Sequence, residues 1–382
     1  MPNAFRALVV GGSLGGLAAA HELASVGADV AVYERSVDRT QPRGAGIVMQ
    51  PEVESLLQRL GRTVPSVSVE LEERQQLHRR GDATRYRAPQ WMSAWDTLHD
   101  ALREPLESVC VRLDSTLEAL RLDDGKVMAT FEDGYEASGD LVVGADGIGS
   151  ATRRLLTDRD DLRYAGYIAL RGLEEESALP DELRCLLAER FTSFAVPGLQ
   201  MLCYLVPGAH GETAPGVRRV NWVWYVNTAE SRLPGLLTGR SGRRFDQFLP
   251  PGELSSESER AVLTLSDGAL PEPFAALVRL SAVFLQPVFD LRPSRMVADH
   301  VVLVGDAVGT VRPHTASGTS KAFGDAAGLA SALVGWNASQ PLPLPALQRW
   351  EAGRLAHLQA VAAAGVRLAA SSSLGAGVAP LL

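Results

Sequence analysis

Cysteine is scarce. Three occur in 382 residues, Cys110, Cys185 and Cys203, and none shares C-x-x-C spacing with another. A redox dithiol or a zinc site needs such spacing, so neither is indicated, no metal is expected, and three reduced structural thiols are expected. Positive charge is not in excess: the formal net charge is −8 and no basic run stands out. Nucleic acid is therefore not expected as a partner. No segment reaches the roughly 18 uninterrupted apolar residues of a membrane span. The N-terminus lacks a charged stretch followed by a hydrophobic signal core. A soluble, cytoplasmic protein without a membrane partner is expected. Internal repeats are absent too. At 46% hydrophobic and 21% charged, the composition is that of a globular protein, long enough for two or three domains with a sizeable core.

What is there begins with a short apolar run, Arg6 to Val10, ending in Gly11-Gly12-Ser13-Leu14-Gly15-Gly16. An Ala/Leu-rich stretch follows from Leu17 to Val26 and stops at Gly27. A second apolar run, Asp29 to Tyr33, ends at Glu34. Strand, glycine turn, helix, strand and acid make the βαβ unit that binds a dinucleotide. Gly11 allows the tight turn. Gly15 and Gly16 leave the helix start bare, so backbone N–H groups can approach a pyrophosphate. Ser13 stands where the second glycine of G-x-G-x-x-G is usual, and its hydroxyl could donate to a phosphate. Glu34 follows Gly11 by 23 residues, near the spacing of about 20 at which an acid meets the ribose hydroxyls.

Further along, Pro51 suits the first turn of a helix ending near Gly61. Residues 66–88 alternate weakly and carry many arginines. Trp91 to Leu106 has helical periodicity, with Trp95, Leu98, Leu102 and Leu106 as its apolar stripe. An antiparallel meander covers 109–131, leading into a buried strand that ends at Asp146-Gly147. From about Leu162 to Gln286 short β-rich runs alternate with Pro/Gly loops, with helical patterns at 243–249 and 272–281. This reads as an inserted domain built on a sheet. His300 to Val304 is another buried strand, ending in Gly305-Asp306. A loop with Arg312-Pro313-His314 precedes a helix from Ser320 to about Leu333, and 350–370 is the last helical stretch. The Ser/Gly/Ala-rich tail from Ser371 is expected to fray.

Three blocks now stand in order: the βαβ fingerprint with Glu34, the Asp146-Gly147 turn, and the Gly305-Asp306 turn with its loop. Together they resemble the class A flavoprotein monooxygenases, the para-hydroxybenzoate hydroxylase superfamily. Val10 to Ser13, Gly44 to Pro51, Tyr164 to Tyr167 with Arg171-Gly172, and Arg312 to Gly318 are similar to its dihydroxypyridine-hydroxylase branch. The chain departs from the wider pattern in Val308-Gly309, where many members have Ala-His. It departs again in Ala316-Ser317-Gly318 for Gly-x-Gly, and on the helix of Trp95, where many members carry an arginine that helps hold the flavin. The resemblance implies a mixed α/β (α+β) fold: a Rossmann-like FAD-binding domain interleaved with a β-sheet substrate domain, plus C-terminal helices. The implied limits are 1–65, 92–161 and 287–382 for the first and 66–91 and 162–286 for the second. It places the FAD adenosine on Glu34 and the pyrophosphate at Ser13 to Gly16, with Gly11, Leu14, Arg35, Arg43, Gln50 and Asp146 as further contacts. Asp306 would bind the ribityl hydroxyls. Pro313, Ala316, Ser317, Gly318 and Thr319 would lie at the flavin, where the helix that follows would stabilise negative charge on its reduced form.

The implied reaction uses NAD(P)H to reduce FAD and O2 to form a C4a-hydroperoxide, which hydroxylates an aromatic or heteroaromatic ring, hydroxypyridine-like or phenolic. One dinucleotide fingerprint is present, so NAD(P)H has no Rossmann domain of its own. Such a ring reacts faster when its hydroxyl is deprotonated, so a general base is expected. His314 is the first candidate, since its loop should face flavin and substrate; a backbone hydrogen bond is the alternative for it. Tyr204 and Tyr225 lie on strands that could line the pocket or simply pack in the core. Two rival readings stand beside this one. The same cofactor could serve epoxidation, Baeyer–Villiger insertion or N-oxidation, or the fold could be a non-catalytic flavin- or ligand-binding protein. A homodimer is an expectation of the resemblance. The ring, the position hydroxylated and the choice of NADH or NADPH stay open.

Overall fold

The computed structural model describes residues 4–36, 46–106, 109–157, 162–292, 295–375 and 377–382. The first apolar run forms the strand Phe5–Val10 at the middle of a six-stranded sheet. It lies parallel to Ala28–Tyr33 on one side and to Leu141–Gly144 on the other, and Val301–Leu303 lies parallel beyond the latter. Apart from the exposed Arg6 and Asp29 near their starts, these strands are apolar because helices cover one face and a small three-stranded sheet the other. The helix Leu14–Ser25 buries three consecutive alanines, Ala18 to Ala20. That small surface brings it close to the late helix Gly318–Ala332, where a Cβ on Gly15 would lie 3.4 Å from Ala322 Cβ.

A second sheet has eight strands, in the order Phe284–Leu291, Leu162–Glu175, Arg219–Asn227, Leu199–Val206, Arg190–Val196, Val69–Leu77, Ala83–Ala94 and Gly46–Val48. It passes the expected limits at both ends. Ala83–Ala94 continues beyond residue 91 because Met92 to Ala94 pair with Gly46–Val48. Phe284–Leu291 continues beyond 286 because it follows Leu162–Glu175 to Leu162. The helix expected from Trp91 is accordingly shorter, Trp95–Arg103. Cys110–Arg112 leaves the expected meander and joins the parallel sheet beside Ala28–Tyr33.

Three other expectations need correction. Residues 243–249 form no helix; Arg244 and Leu249 make isolated bridges to Thr238 and Leu285 instead. The helix in this region is Ser256–Ala269, started by the Ser255 hydroxyl accepting from Ser258 N–H at 3.2 Å. The tail does not fray: Asn227 Nδ2 donates to Ser373 O at 2.8 Å, Gly375 N–H to Asn227 Oδ1 at 3.0 Å, and Leu381 N–H to Asn227 O at 2.8 Å. Backbone groups and the Asn227 amide supply the docking, and Leu374 is buried in a cluster with Ala165, Tyr167 and Ala369. Of the three thiols, only Cys203 is buried; Cys110 and Cys185 are free and exposed, on a short edge strand and a short helix. Among the described residues no helix is long and apolar enough to cross a membrane.

Candidate active site

In an open α/β sheet, ligands bind beyond the carboxyl ends of the strands where the strand order reverses. The expected cofactor segments meet there. Gly11 leaves Phe5–Val10, Glu34 leaves Ala28–Tyr33, Asp146 follows Leu141–Gly144, and Gly305-Asp306 follow Val301–Leu303. Backbone bonds lock these ends together: Gly11 N–H to Tyr33 O at 2.8 Å, Ala145 N–H to Val10 O at 2.8 Å and Val304 N–H to Gly144 O at 2.9 Å.

The glycine turn is tight enough to exclude side chains. Gly11 has φ +108°, and a Cβ there would lie 2.5 Å from Ala145 O; a Cβ on Gly16 would lie 1.8 Å from Gly11 O. Ser13 caps the helix with extended backbone but without a side-chain bond. The N–H groups of the first turn therefore have no intrahelical acceptor and face the strand ends. Leu14 turns inward into the core. The bare cradle fits a pyrophosphate.

Glu34 is more engaged than expected. Its carboxylate accepts Gly12 N–H at 2.7 Å, Ser36 N–H at 3.0 Å and Ser36 Oγ–H at 2.7 Å. It braces the glycine turn from the end of the neighbouring strand. Arg35 beside it is exposed. Arg43 lies outside the described residues. The Asp146 side chain caps the next helix, accepting Thr152 N–H at 3.0 Å and Thr152 Oγ1–H at 3.1 Å, so its backbone rather than its carboxylate meets the turn. Gln50 Nε2 donates to Ala316 O at 3.0 Å and its Oε1 accepts from Ser320, which clips the late loop. Ala316 sits at φ +53°, an uncommon conformation for a residue with a Cβ. Ser317 then precedes the helix Gly318–Ala332, whose first turn contains Gly318 and Thr319.

Half of the Asp306 side-chain surface is open, while neighbouring protein crowds the rest. That crowding pushes its carboxyl above the ordinary range, with Asp325 adding to the push and Lys321 opposing it. Beneath it Lys321 is buried, donating Nζ–H to Gly305 O at 2.6 Å, 3.8 Å from Asp325 and 4.0 Å from Asp306. Asp325 in turn accepts Gly305 N–H at 3.0 Å and Arg354 Nε–H at 2.6 Å. Sequence reasoning missed this support, although Lys321 and Asp325 stand four apart on one helix. His99 was missed as well; its Nε2 lies 3.2 Å from Gly12 O, on the helix where many family members carry an arginine.

The late loop also reaches the second sheet. His314 lies with both ring nitrogens engaged: Nδ1 at 2.9 Å from Gln200 Oε1 and Nε2 at 3.1 Å from Tyr167 OH. With the Gln200 oxygen as acceptor, Nδ1 carries the proton and Nε2 accepts from Tyr167. Burial, helped by Arg312, pulls the His314 pKa down to about 4. Arg312 makes a two-pronged pair with Asp290 at 2.9 and 2.7 Å, which fastens the loop that contains Pro313. His314 is therefore a poor base at neutral pH, held by side chains rather than by backbone.

Cross-strand pairs share a face. Tyr225 pairs with Ala169 and Gln200, and Asn221 with Leu173 and Tyr204. One face thus carries Tyr167, Arg171, Gln200, Tyr204, Asn221 and Tyr225, and His314 packs 4.5 Å from the Tyr225 ring. Tyr204 stacks on Phe191 at 5.1 Å and closes over Gly46, where a Cβ would lie 2.2 Å from its ring. Burial pushes both Tyr204 and Tyr225 phenols up, with the Arg171 charge acting against it.

A Rossmann-type nucleotide cradle joined by one loop to a phenol-lined sheet face is the layout of a flavin-dependent monooxygenase. Residues 4–159 match the family "FAD binding domain", and residues 164–290 match "FAD binding domain-like". The chain is 32% identical to 2,6-dihydroxypyridine 3-monooxygenase of Paenarthrobacter nicotinovorans, over 87% of this chain and 84% of that one. It is 25% identical to 6-hydroxynicotinate 3-monooxygenase of Bordetella bronchiseptica, over 84% and 81%. The structure of 2,6-dihydroxypyridine-3-hydroxylase from Arthrobacter nicotinovorans superposes with a TM-score of 0.90 at 30% identity, covering 100% of this chain and 95% of that one. The chain belongs to the class A FAD-dependent aromatic hydroxylases, the para-hydroxybenzoate hydroxylase superfamily, and is an FAD-dependent monooxygenase.

Proposed function

We propose that this enzyme hydroxylates a small hydroxypyridine-like ring, with NAD(P)H as reductant. The observation that carries this reading is the single loop, Arg312 to Ser317, that touches both halves of the site. Its Ala316 end is clipped to the cofactor edge by Gln50, and its His314 is clamped to Tyr167 and Gln200 on the sheet face. A ring held on that face is thereby set against the cofactor. The hydroxypyridine class is supported by the two relatives described above, both named for such rings.

FAD, when bound, supplies electron transfer from NAD(P)H and the activation of O2 for insertion into a ring carbon. The protein's share is position and electrostatics. Gly11, Ser13, Gly15 and Gly16 with the helix N-terminus hold the pyrophosphate; Glu34 holds the ribose end and Asp306 the ribityl hydroxyls. The positive end of the helix Gly318–Ala332 favours negative charge beside Ala316 to Thr319. His314, neutral and fully hydrogen-bonded, orients the loop and the Tyr167 hydroxyl in this reading rather than removing a proton. The reading also carries a nicotinamide co-substrate that docks without its own domain, a cytoplasmic setting and a homodimer.

The test is oxidation of NADH and NADPH by the yellow protein, with and without hydroxypyridines and phenols, with product mass recorded. Faster oxidation with a product heavier by one oxygen is expected with a hydroxypyridine. Ring-stimulated oxidation that leaves every ring unchanged in mass would refute the substrate class.

A further inference from the structure

His99 sits against the nucleotide cradle, and both of its ring nitrogens face acceptors. Nε2 lies 3.2 Å from Gly12 O, and Nδ1 lies 3.7 Å from Asp100 Oδ1. A neutral imidazole has a single N–H and can serve only one of them. An imidazolium donates to Gly12 O and turns its second N–H toward the carboxylate. The ring also stacks on the Trp95 indole, 4.8 Å between centroids and 19° between planes, and the face of an indole favours a cation. Its seat is fixed. Asp96, on the same helix, makes a two-pronged pair with the buried Arg219 at 2.7 and 2.9 Å.

The cradle itself is short of positive charge. Among the described residues no lysine or arginine side chain hydrogen-bonds the backbone from Gly11 to Gly16, and Glu34, which does, is an acid. A pyrophosphate there adds further negative charge. Other charged groups around the helix Trp95–Arg103 are engaged elsewhere. His21 Nε2 lies 2.7 Å from Leu102 O, Glu22 pairs with Arg59, and Glu104 pairs with Arg62. Burial pulls the His99 pKa down; the Gly12 carbonyl and Asp100 push it up, and Arg103 lowers it. An anion in the cradle tips that balance toward the charged ring.

We propose that His99 is a titrating cation of the cofactor cradle: it takes a proton from solvent as the FAD pyrophosphate docks, so FAD is held more tightly at lower pH. This deepens the cofactor placement proposed above and rests on it. The sign follows from a pKa that is higher with FAD bound than without. The contribution is full below the FAD-free value and is gone above the FAD-bound one.

The experiment dialyses the yellow holoenzyme to equilibrium at constant ionic strength and reads the FAD retained. The parent should hold FAD roughly ten- to thirtyfold more weakly at about pH 8 than at about pH 6, inside the limit of about tenfold per pH unit for one linked proton. His99→Gln keeps a donor for Gly12 O but takes no proton. Its affinity should match the parent's at about pH 8 and gain nothing at about pH 6. His99→Arg is charged throughout and should hold FAD equally at both; it carries the comparison should the glutamine variant not fold. A histidine that only braced the turn would leave the pH dependence of both variants equal to the parent's. His21, Asp306 and His314 have shifted pKa values too, but they are common to all three proteins and cancel. Parallel curves for parent and variants, or a parent whose retention ignores pH, would overturn the role of His99. Gly16→Ala, dialysed alongside, separates this from the cofactor placement. If it loses FAD while the His99 curves run parallel, the placement stands and only the titrating cation falls. If it holds FAD as tightly as the parent, the placement fails and the role of His99 falls with it.

Discussion

The clamp on His314 makes a stability prediction with a definite sign. The unfolded chain gives histidine a pKa of about 6.5; in the fold, burial and Arg312 lower that of His314 to about 4. Above both values neither state binds the proton and the group contributes nothing. Between them only the unfolded state takes it up, so folding loses stability as pH falls. Integrating from about pH 7.5 to about pH 5 gives a loss of about 2 kcal/mol from this one residue. His314→Gln keeps a donor and an acceptor but cannot titrate. At about pH 7.5 it should be less stable than the parent by about 1–2 kcal/mol, for imperfect replacement of two hydrogen bonds. At about pH 5 that gap should close, because the parent alone carries the proton penalty. His21 and His99, whose pKa values burial also lowers, are common to both proteins and cancel. Urea melts of the FAD-loaded proteins at the two pH values measure this. Parallel loss of stability in parent and variant would refute the buried, neutral clamp.

Gly16→Ala places a Cβ 1.8 Å from Gly11 O and should yield protein that purifies without its yellow colour, whereas Gly15→Ala, 3.4 Å from Ala322 Cβ, should keep it; the flavin-to-protein absorbance ratio decides. Lys321→Met removes the Nζ bond to Gly305 O and the cation beside Asp306 and Asp325. It should weaken FAD retention by roughly tenfold or more, read by equilibrium dialysis, and unaltered retention would refute the supporting role. Asp290→Asn strips the counter-charge from Arg312, which is 10% exposed. It should cost about 2 kcal/mol in a urea melt, less than a fully buried pair because Asp290 is partly open to solvent.

Local signals were legible where local chemistry sets the outcome. The run from Phe5 to Glu34 reads as strand, glycine turn, helix and strand because each step depends on neighbours in the chain, and the structure has those elements there. Pro51 starting a helix and Gly61 ending it at φ +71° belong to the same kind. Residues 243–249 did not read correctly, because an apolar pattern cannot distinguish a helix from a loop held by a distant strand at Leu285. The tail misled for the reverse reason: its docking uses Asn227 and a cluster around Leu374 whose members, such as Ala165 and Tyr167, are far away in sequence.

The sequence by itself determined the cofactor class, since a glycine turn and an acid at fixed spacing are local requirements of a nucleotide, and the order of three such blocks marked the family. It also singled out His314, Tyr204 and Tyr225 as residues to watch. Only the tertiary structure decided what they touch. Pairing between strands remote in sequence put Arg171, Tyr204, Asn221 and Tyr225 on one face. The return of a loop more than 100 residues later closed His314 onto Gln200. Whether a charge is paired, and whether a histidine is basic, depends on the groups within a few ångströms of it. That neighbourhood is set by packing between distant segments, which no spacing along the chain encodes.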